Sequence, residues 1–349
     1  MSEKILMKGN EAVGEAAIYV GCRHYFGYPI TPQNELTAYM ARRMNEVGGT
    51  FIQSESEIAA ISMVFGAASA GARTMTSSSG PGISLKQEGI SYIAGAQLPC
   101  VIVNVMRGGP GLGNISAAQS DYFQATRGGG HGDYYTLVLA PYNVQEMFDL
   151  TLLAFHMADQ YRMPALLLAD GILGQMREPL ILHRPDFPPL PPKTWAVGRM
   201  KDRPMNLISS IRLGEGRLEA HNHDLQRIYD EVRKNEVRFE ETHTEDAEVL
   251  LVAFGTSARV CLGAVTEGRA QGLRIGLFRP ITLWPFPSEA LVRHAEKVRS
   301  ILVVEMNMGQ MVEDVRLAVE GRCPIHFHGR PGGGLPTTRE VLEKVREGL

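Results

Sequence analysis

The run Leu98-Pro99-Cys100-Val101-Ile102-Val103-Asn104-Val105-Met106 is apolar at almost every position and does not alternate. A strand with one wet face alternates polar and apolar side chains, whereas one that is apolar on both sides must be covered on both. Ala165 to Ala169 has the same texture, and Thr136 to Leu139 is a shorter example. Between such runs lie segments of helical length and spacing, among them Val144 to Tyr161. This alternation predicts an α/β chain built on a mostly parallel sheet with helices on both faces.

The segment most loaded with chemistry runs from Phe51 to Gln87. Glu57 stands at the mouth of a nearly all apolar or small-residue helix, expected over Ile58–Ala72 and read as buried. A carboxylate there has two readings: a cap favoured by the helix dipole, or a functional acid held away from water. Ser54 and Ser56 are the more usual capping types and stand beside it. A short strand, Thr74–Thr76, then leads to Ser77-Ser78-Ser79-Gly80-Pro81-Gly82, a tight turn that a ligand can approach closely. A helix from Lys86 to Gly95 follows.

Other candidates sit at strand ends. Asn10 is placed to cap a helix reaching about Arg23, and His24 onward reads as a strand running into Gly27-Tyr28-Pro29-Ile30-Thr31-Pro32. Pro32 opens a helix expected over Asn34–Val47, so Thr31 projects from a turn where open α/β sheets place ligands; it also reads as a plain turn residue. Arg107 closes the Leu98–Met106 strand ahead of Gly108-Gly109-Pro110-Gly111-Leu112-Gly113-Asn114. Its guanidinium is shaped for a carboxylate, and a structural ion pair is the rival reading. A second glycine-rich loop carries Arg127 and His131, the latter either a substrate contact or a loop residue.

From Arg184 the texture changes, with Pro185, Pro188, Pro189, Pro191 and Pro192 in close succession. The expected organisation is a first domain over residues 1–183, a proline-rich crossover with a charged helix over 184–245, and a second domain over 246–349. The charged helix is expected over Arg217–Glu241, with His221, His223 and His243 on its solvated face. The second domain reads as three βα units, with strands at Val249–Phe254, Arg274–Arg279 and Ser300–Glu305.

Composition narrows the function. A net charge of −3 without a basic tract gives no footprint for nucleic acid. No apolar run approaches a membrane span or a signal-peptide core, so a cytoplasmic protein without membrane contact is expected. The four cysteines, Cys22, Cys100, Cys261 and Cys323, are scattered without a C-x-x-C pair, which argues against an iron–sulfur or zinc site on this chain.

The order of acid, small-residue helix, short strand and Ser-Gly-Pro-Gly resembles the pyrimidine-binding domain of thiamine-diphosphate enzymes. From end to end the chain resembles the α subunit of the multi-subunit 2-oxoacid:ferredoxin oxidoreductases. The match is carried by Gly9-Asn10-Glu11-Ala12, Gly27 to Pro32, Ser56 to Ala60, Ser78 to Gly82, Met106-Arg107, Leu277 to Pro287 and Glu305 to Gln310. The wording SGPGISLKQEGISYIAGAQLP and GGPGLGN is closest to the branched-chain type, which acts on 3-methyl-2-oxobutanoate, with the 2-oxoglutarate type as the alternative.

The resemblance implies a pyrimidine-type first domain and a transketolase C-terminal-like second one. It implies that Glu57 touches N1′ of the aminopyrimidine and so helps remove the thiazolium C2 proton. Ser79, Gly80, Pro81 and Gly82 would line the cofactor, Arg107 would grip the 2-oxoacid carboxylate, and Thr31 would contact substrate or cofactor; His131 is kept beside them as a candidate substrate contact on its loop alone. The family's Gly-Asp-Gly metal motif is not matched at Ala169-Asp170-Gly171, so no metal is expected on this chain. Thiamine diphosphate would sit at the interface with a β subunit holding its diphosphate and Mg²⁺. Iron–sulfur clusters would lie on γ or ferredoxin-like subunits, and CoA and ferredoxin would complete the reaction. Rival readings are half of a non-redox thiamine-diphosphate enzyme, such as a split transketolase, and a scaffold subunit with a degenerate site.

Overall fold

The apolar strands do lie side by side in one sheet. The computed structural model describes residues 4–198 and 205–348; residues 199–204, inside the expected crossover, and the extreme ends lie outside the described residues. The main sheet has seven strands in the order Thr282–Trp284, Leu137–Leu139, Pro164–Asp170, Cys100–Met106, Thr74–Ser78, His24–Gly27 and Thr50–Gln53. Every pairing in it is parallel except that of the first, which runs antiparallel to Leu137–Leu139. Cys100–Met106 and Pro164–Asp170 are buried along their whole length, as residues apolar on both sides require.

A second, five-stranded sheet is ordered Ile325–Gly329, Ser300–Glu305, Val249–Val252, Ile275–Pro280 and Phe239–Thr242. A two-stranded antiparallel pair joins Lys4–Lys8 to Arg177–Ile181. The Val144–Tyr161 helix spans the expected residues, capped by the Asn143 side chain on the Glu146 amide.

Several expectations are corrected. Thr282–Trp284, read within the second domain, adds an edge strand to the sheet of the first. The charged helix covers Arg217–Asn235, and Phe239–Thr242, expected to continue it, is a strand antiparallel to Ile275–Pro280. Its acidic residues suit an edge, where alternate side chains face water. The first helix is Gly9–Tyr19, starting at Lys8; Asn10 is no cap but a buried tether that donates to the Pro32 carbonyl at 2.9 Å.

Around the central segment two boundaries move. The helix expected over Ile58–Ala72 covers Glu57–Ser69, and Ile58, Ser62, Gly66 and Ala70 form an exposed stripe rather than a buried surface. The next helix starts at Pro81, five positions before Lys86, because proline is favoured in the first helical position and Gly80 supplies the entry bend. Gly80 has φ +38°, which an L side chain strains to adopt. His221 is buried, not solvated, and its Nε2 donates to the Gly95 carbonyl at 2.7 Å.

The two sheets are locked together by polar side chains. Asp170 accepts from the Ile172 and Leu173 amides and from both the amide and hydroxyl of Thr256, so its oxygens are spent on a helix cap and the second sheet's first helix. Gln119 bonds the Phe254 carbonyl, the Ser257 hydroxyl and the Met306 amide. Among the described residues no helix is long and apolar enough to cross a membrane.

Candidate functional site

The carboxyl ends of three parallel strands converge at one place. Thr74–Ser78 delivers Ser77 to Gly82, His24–Gly27 delivers Tyr28 to Pro32, and Cys100–Met106 delivers Arg107 and the glycine loop. This is where open parallel sheets bind ligands. A buried network sets the floor. Ser77 Oγ donates to Gln33 Oε1 at 2.5 Å and lies 2.6 Å from Tyr25 Oη, and Thr37 Oγ1 donates to the same Gln33 oxygen at 2.9 Å.

Glu57 occupies the first position of its helix and is 6% exposed. The cap itself is Ser56, which accepts from the Ala59 amide at 3.2 Å. Capping therefore does not explain Glu57, and no described side chain or amide hydrogen-bonds its carboxylate. The carboxylate lies against Gly82, where an added Cβ would come within 2.5 Å of Glu57 Oε1 and collide with Ser78 Oγ. The hydroxyls of Ser78 and Ser79 are buried and have no partner. Buried polar atoms are normally paired, so an acid and two hydroxyls left open around one glycine form a cradle for a polar ligand edge.

Arg107 is 8% exposed and bends over Gly80, whose added Cβ would lie 3.6 Å from its Cγ. Its Nη1 donates to the Thr31 carbonyl at 3.0 Å and its Nη2 to the Leu112 carbonyl at 3.1 Å, while Nε is buried without a partner. The ion-pair reading fails among the described residues, since Arg107 forms no salt bridge with any of their carboxylates. Asp121, close enough to feel its charge, is turned to Asn104 Nδ2 at 2.9 Å. Burial raises the Asp121 carboxyl, against the Asn104 hydrogen bond and the charge of Arg107. A cleft of about 320 Å³ lies between Gly80-Pro81, Arg107, Asp121 and the glycine loop.

Thr31, Glu57, Ser79, Gly80, Pro81, Gly82 and Arg107 therefore share one end of the sheet. Thr31 contributes its carbonyl to Arg107, and its hydroxyl accepts from Asn34 Nδ2 at 3.1 Å. His131 is not brought there. It is exposed and lines a separate groove with Ser91, Tyr92 and His221, beside the far end of the Pro81–Gly95 helix. Arg127, weighed as a second cation, is paired with Asp314 at 2.7 Å and serves the seam between the sheets.

Lys86 was missed. It is fully buried, and its Nζ donates to Thr76 Oγ1 at 2.5 Å and to the Ser77 carbonyl at 3.1 Å. Burial pushes its pKa down to about 7, opposed by the charge of Glu57. It lies one helical turn after Gly82, a spacing that becomes visible once the helix is started at Pro81.

Comparison with known proteins identifies the family. Residues 15–242 match the family model described as pyruvate flavodoxin/ferredoxin oxidoreductase, thiamine diphosphate-binding, and residues 247–341 match pyruvate:ferredoxin oxidoreductase core domain II. The chain is 52% identical over 348 residues to the ketoisovalerate oxidoreductase subunit VorB of Methanothermobacter marburgensis, covering 98% of this chain and 97% of that one. It is 37% identical to the 2-oxoglutarate synthase subunit KorA of Methanothermobacter thermautotrophicus, over 99% of both chains. A solved 2-oxoglutarate:ferredoxin oxidoreductase from Magnetococcus marinus, with 2-oxoglutarate, coenzyme A and succinyl-CoA bound, superposes with a TM-score of 0.89 at 28% identity. That match covers 99% of this chain and 65% of the other.

Proposed function

The chain belongs to the pyruvate flavodoxin/ferredoxin oxidoreductase family, and we propose that it is the α subunit of an enzyme that oxidatively decarboxylates 3-methyl-2-oxobutanoate. In the net reaction the 2-oxoacid loses CO₂ and its acyl carbon bonds the CoA thiol sulfur. The thiol proton is released, and two electrons pass singly through clusters on partner subunits to ferredoxin. Thiamine diphosphate would supply the carbon nucleophile that this chemistry needs.

The observation that carries the reading is Glu57: dry, at a helix mouth, against Gly82, with no described residue holding its carboxylate. The residues fit an aminopyrimidine edge, which offers a ring nitrogen to Glu57 and polar edges to the open hydroxyls of Ser78 and Ser79. Gly82 lets the Glu57 carboxylate and the Ser78 hydroxyl close on the turn, Gly80 keeps its outer side open beneath Arg107, and Pro81 stiffens the turn between them. Arg107 would fix the substrate carboxylate next to the turn, with Thr31 holding the guanidinium in place. Asp170 and its neighbours have no part in a metal site on this reading.

A partner subunit would bring the diphosphate site, the Mg²⁺ and, with further subunits, the clusters. Exposed apolar residues available to it are Leu112 on the glycine loop, Ile115 just after it, Met308, and Ile58 at the head of the exposed helix stripe. For substrate choice, 2-oxoglutarate would need a second cation, and the two candidates are elsewhere, Arg127 on Asp314 and His131 in its own groove. An apolar substrate tail is therefore favoured.

The test is anaerobic, CoA-dependent viologen reduction by the assembled complex, offered 3-methyl-2-oxobutanoate, 2-oxoglutarate, pyruvate and an aryl pyruvate. Preference for the branched acid is expected. Preference for 2-oxoglutarate would overturn the substrate, and no reduction with any acid would overturn the redox activity.

A further inference from the structure

Two buried ionisable groups flank the Ser77–Gly82 turn, and neither is hydrogen-bonded or ion-paired to a group of opposite charge among the described residues. Glu57 abuts Gly82, with its carboxylate ungripped by any described residue. Lys86 is anchored where the preceding strand enters the turn, and its two hydrogen bonds go to neutral oxygens, Thr76 Oγ1 and the Ser77 carbonyl. An isolated buried charge is strongly unfavourable, so each needs a counter-charge nearby. Two titratable groups face Lys86: Glu57 from the Glu57–Ser69 helix and Cys100 from the Cys100–Met106 strand. Burial pushes the Cys100 thiol up to about 12, so it is neutral and cannot compensate a cation. That leaves Glu57. Gly82 abuts the Glu57 carboxylate, and Lys86 follows Gly82 by one helical turn, so the pairing acts across the turn that both elements frame.

We propose that Lys86 is a positioning residue whose ammonium, anchored on Thr76 and Ser77, is the counter-charge that lets Glu57 be buried with its oxygens left open to the cofactor. This rests on the reading of Glu57 as the aminopyrimidine's carboxylate. A direct ion pair would occupy the oxygens that the ligand needs. A counter-charge held at a distance stabilises the anion through space and leaves them free.

A double-variant cycle tests the pairing in the full chain without cofactor. Melting is measured about one pH unit below the Lys86 pKa of about 7, where its ammonium is charged. K86M and E57Q are each expected to lower the melting temperature, and the K86M/E57Q chain to melt above K86M alone. Additive losses, or no loss with K86M, overturn the proposal. K86Q, which keeps a donor for Thr76 but drops the charge, should behave as K86M does; a wild-type melt would contradict the proposal, and it serves if K86M does not fold.

In the assembled complex, K86M should weaken thiamine diphosphate binding about tenfold, with partial rescue in K86R, and have no further effect on an E57Q background. Equal weakening on both backgrounds would show a structural role alone. If E57Q binds cofactor and turns over as wild type does, the reading of Glu57 fails, while the melting cycle still judges the charge pairing separately.

Discussion

Two of the buried carboxylates at helix N-termini, Glu305 and Glu57, are treated in opposite ways. Glu305 is fully buried at the seam between the sheets, and its oxygens accept from Asn307 Nδ2 at 2.8 Å and from the Met311 and Val312 amides at 2.9 and 3.0 Å. Burial raises the Glu305 carboxyl, and those bonds oppose it, Asn307 most. Glu57 is almost as dry and accepts nothing from the described residues. The arginines repeat the contrast. Arg279 is bound by both oxygens of Glu146 and by Glu240, whereas Arg107 has two carbonyls and an idle Nε. Saturated polar groups hold the two sheets together, while Glu57, Ser78, Ser79 and Arg107, left open together at one end of the main sheet, mark the proposed site.

The contrast breaks first, and most strongly, if Glu57→Gln leaves the assembled complex active. Turnover is expected to fall by about 10³-fold, the scale of a lost acid–base contact and far more than the modest loss of stability expected from unpairing Lys86 accounts for. Next comes Arg107→Met, expected to lower kcat/KM for the 2-oxoacid by about 100-fold, mostly through KM, with Arg107→Lys a poor rescue because it lacks the fork. A steady-state series over 2-oxoacid concentration checks it.

Glu305→Gln should do the reverse of Glu57→Gln. It should cost about 2–3 kcal/mol of folding stability in urea titration and leave kcat per folded complex near wild type. Lys86 gives a smaller, pH-dependent effect. Its pKa is lower folded, about 7, than its ordinary 10.5, so between those values the unfolded chain binds the extra proton. Stability should therefore rise with pH above about 7, by roughly 1 kcal/mol per unit at first, and K86M should flatten that slope in urea melts across pH. Smallest is His131→Ala, expected to change viologen reduction by less than about twofold, since the side chain lines a different groove.

Much of this was legible in the residues. Strands apolar on both sides can only be interior strands, so Cys100–Met106 and Pro164–Asp170 announced the parallel sheet. Glu57 just after two better caps, and Arg107 between a buried strand and a glycine loop, were visible as residues that packing did not need. What stayed hidden depended on partners distant in sequence. Phe239–Thr242 carries charges that suit a helix, and only the edge of the second sheet makes it a strand. Thr282–Trp284 leaves its own domain because the Leu137–Leu139 edge is open to it. His221 reads as solvated until Gly95, 126 positions earlier, supplies its acceptor. His131 and Arg107 both sit by glycine loops, and nothing local says that only one loop faces the cleft. Lys86 escaped because Pro81 was read as the end of a turn rather than the start of a helix.

The most direct measurement is the exchange rate of the C2 proton of thiamine diphosphate bound to the assembled complex, wild type against Glu57→Gln. It reads the step that Glu57 is proposed to promote, before substrate, CoA or ferredoxin is involved. Slowing by about 100-fold or more, with the cofactor still bound, is expected. Equal exchange in the two complexes would mean that the open carboxylate at the helix mouth is reserved for something other than this cofactor.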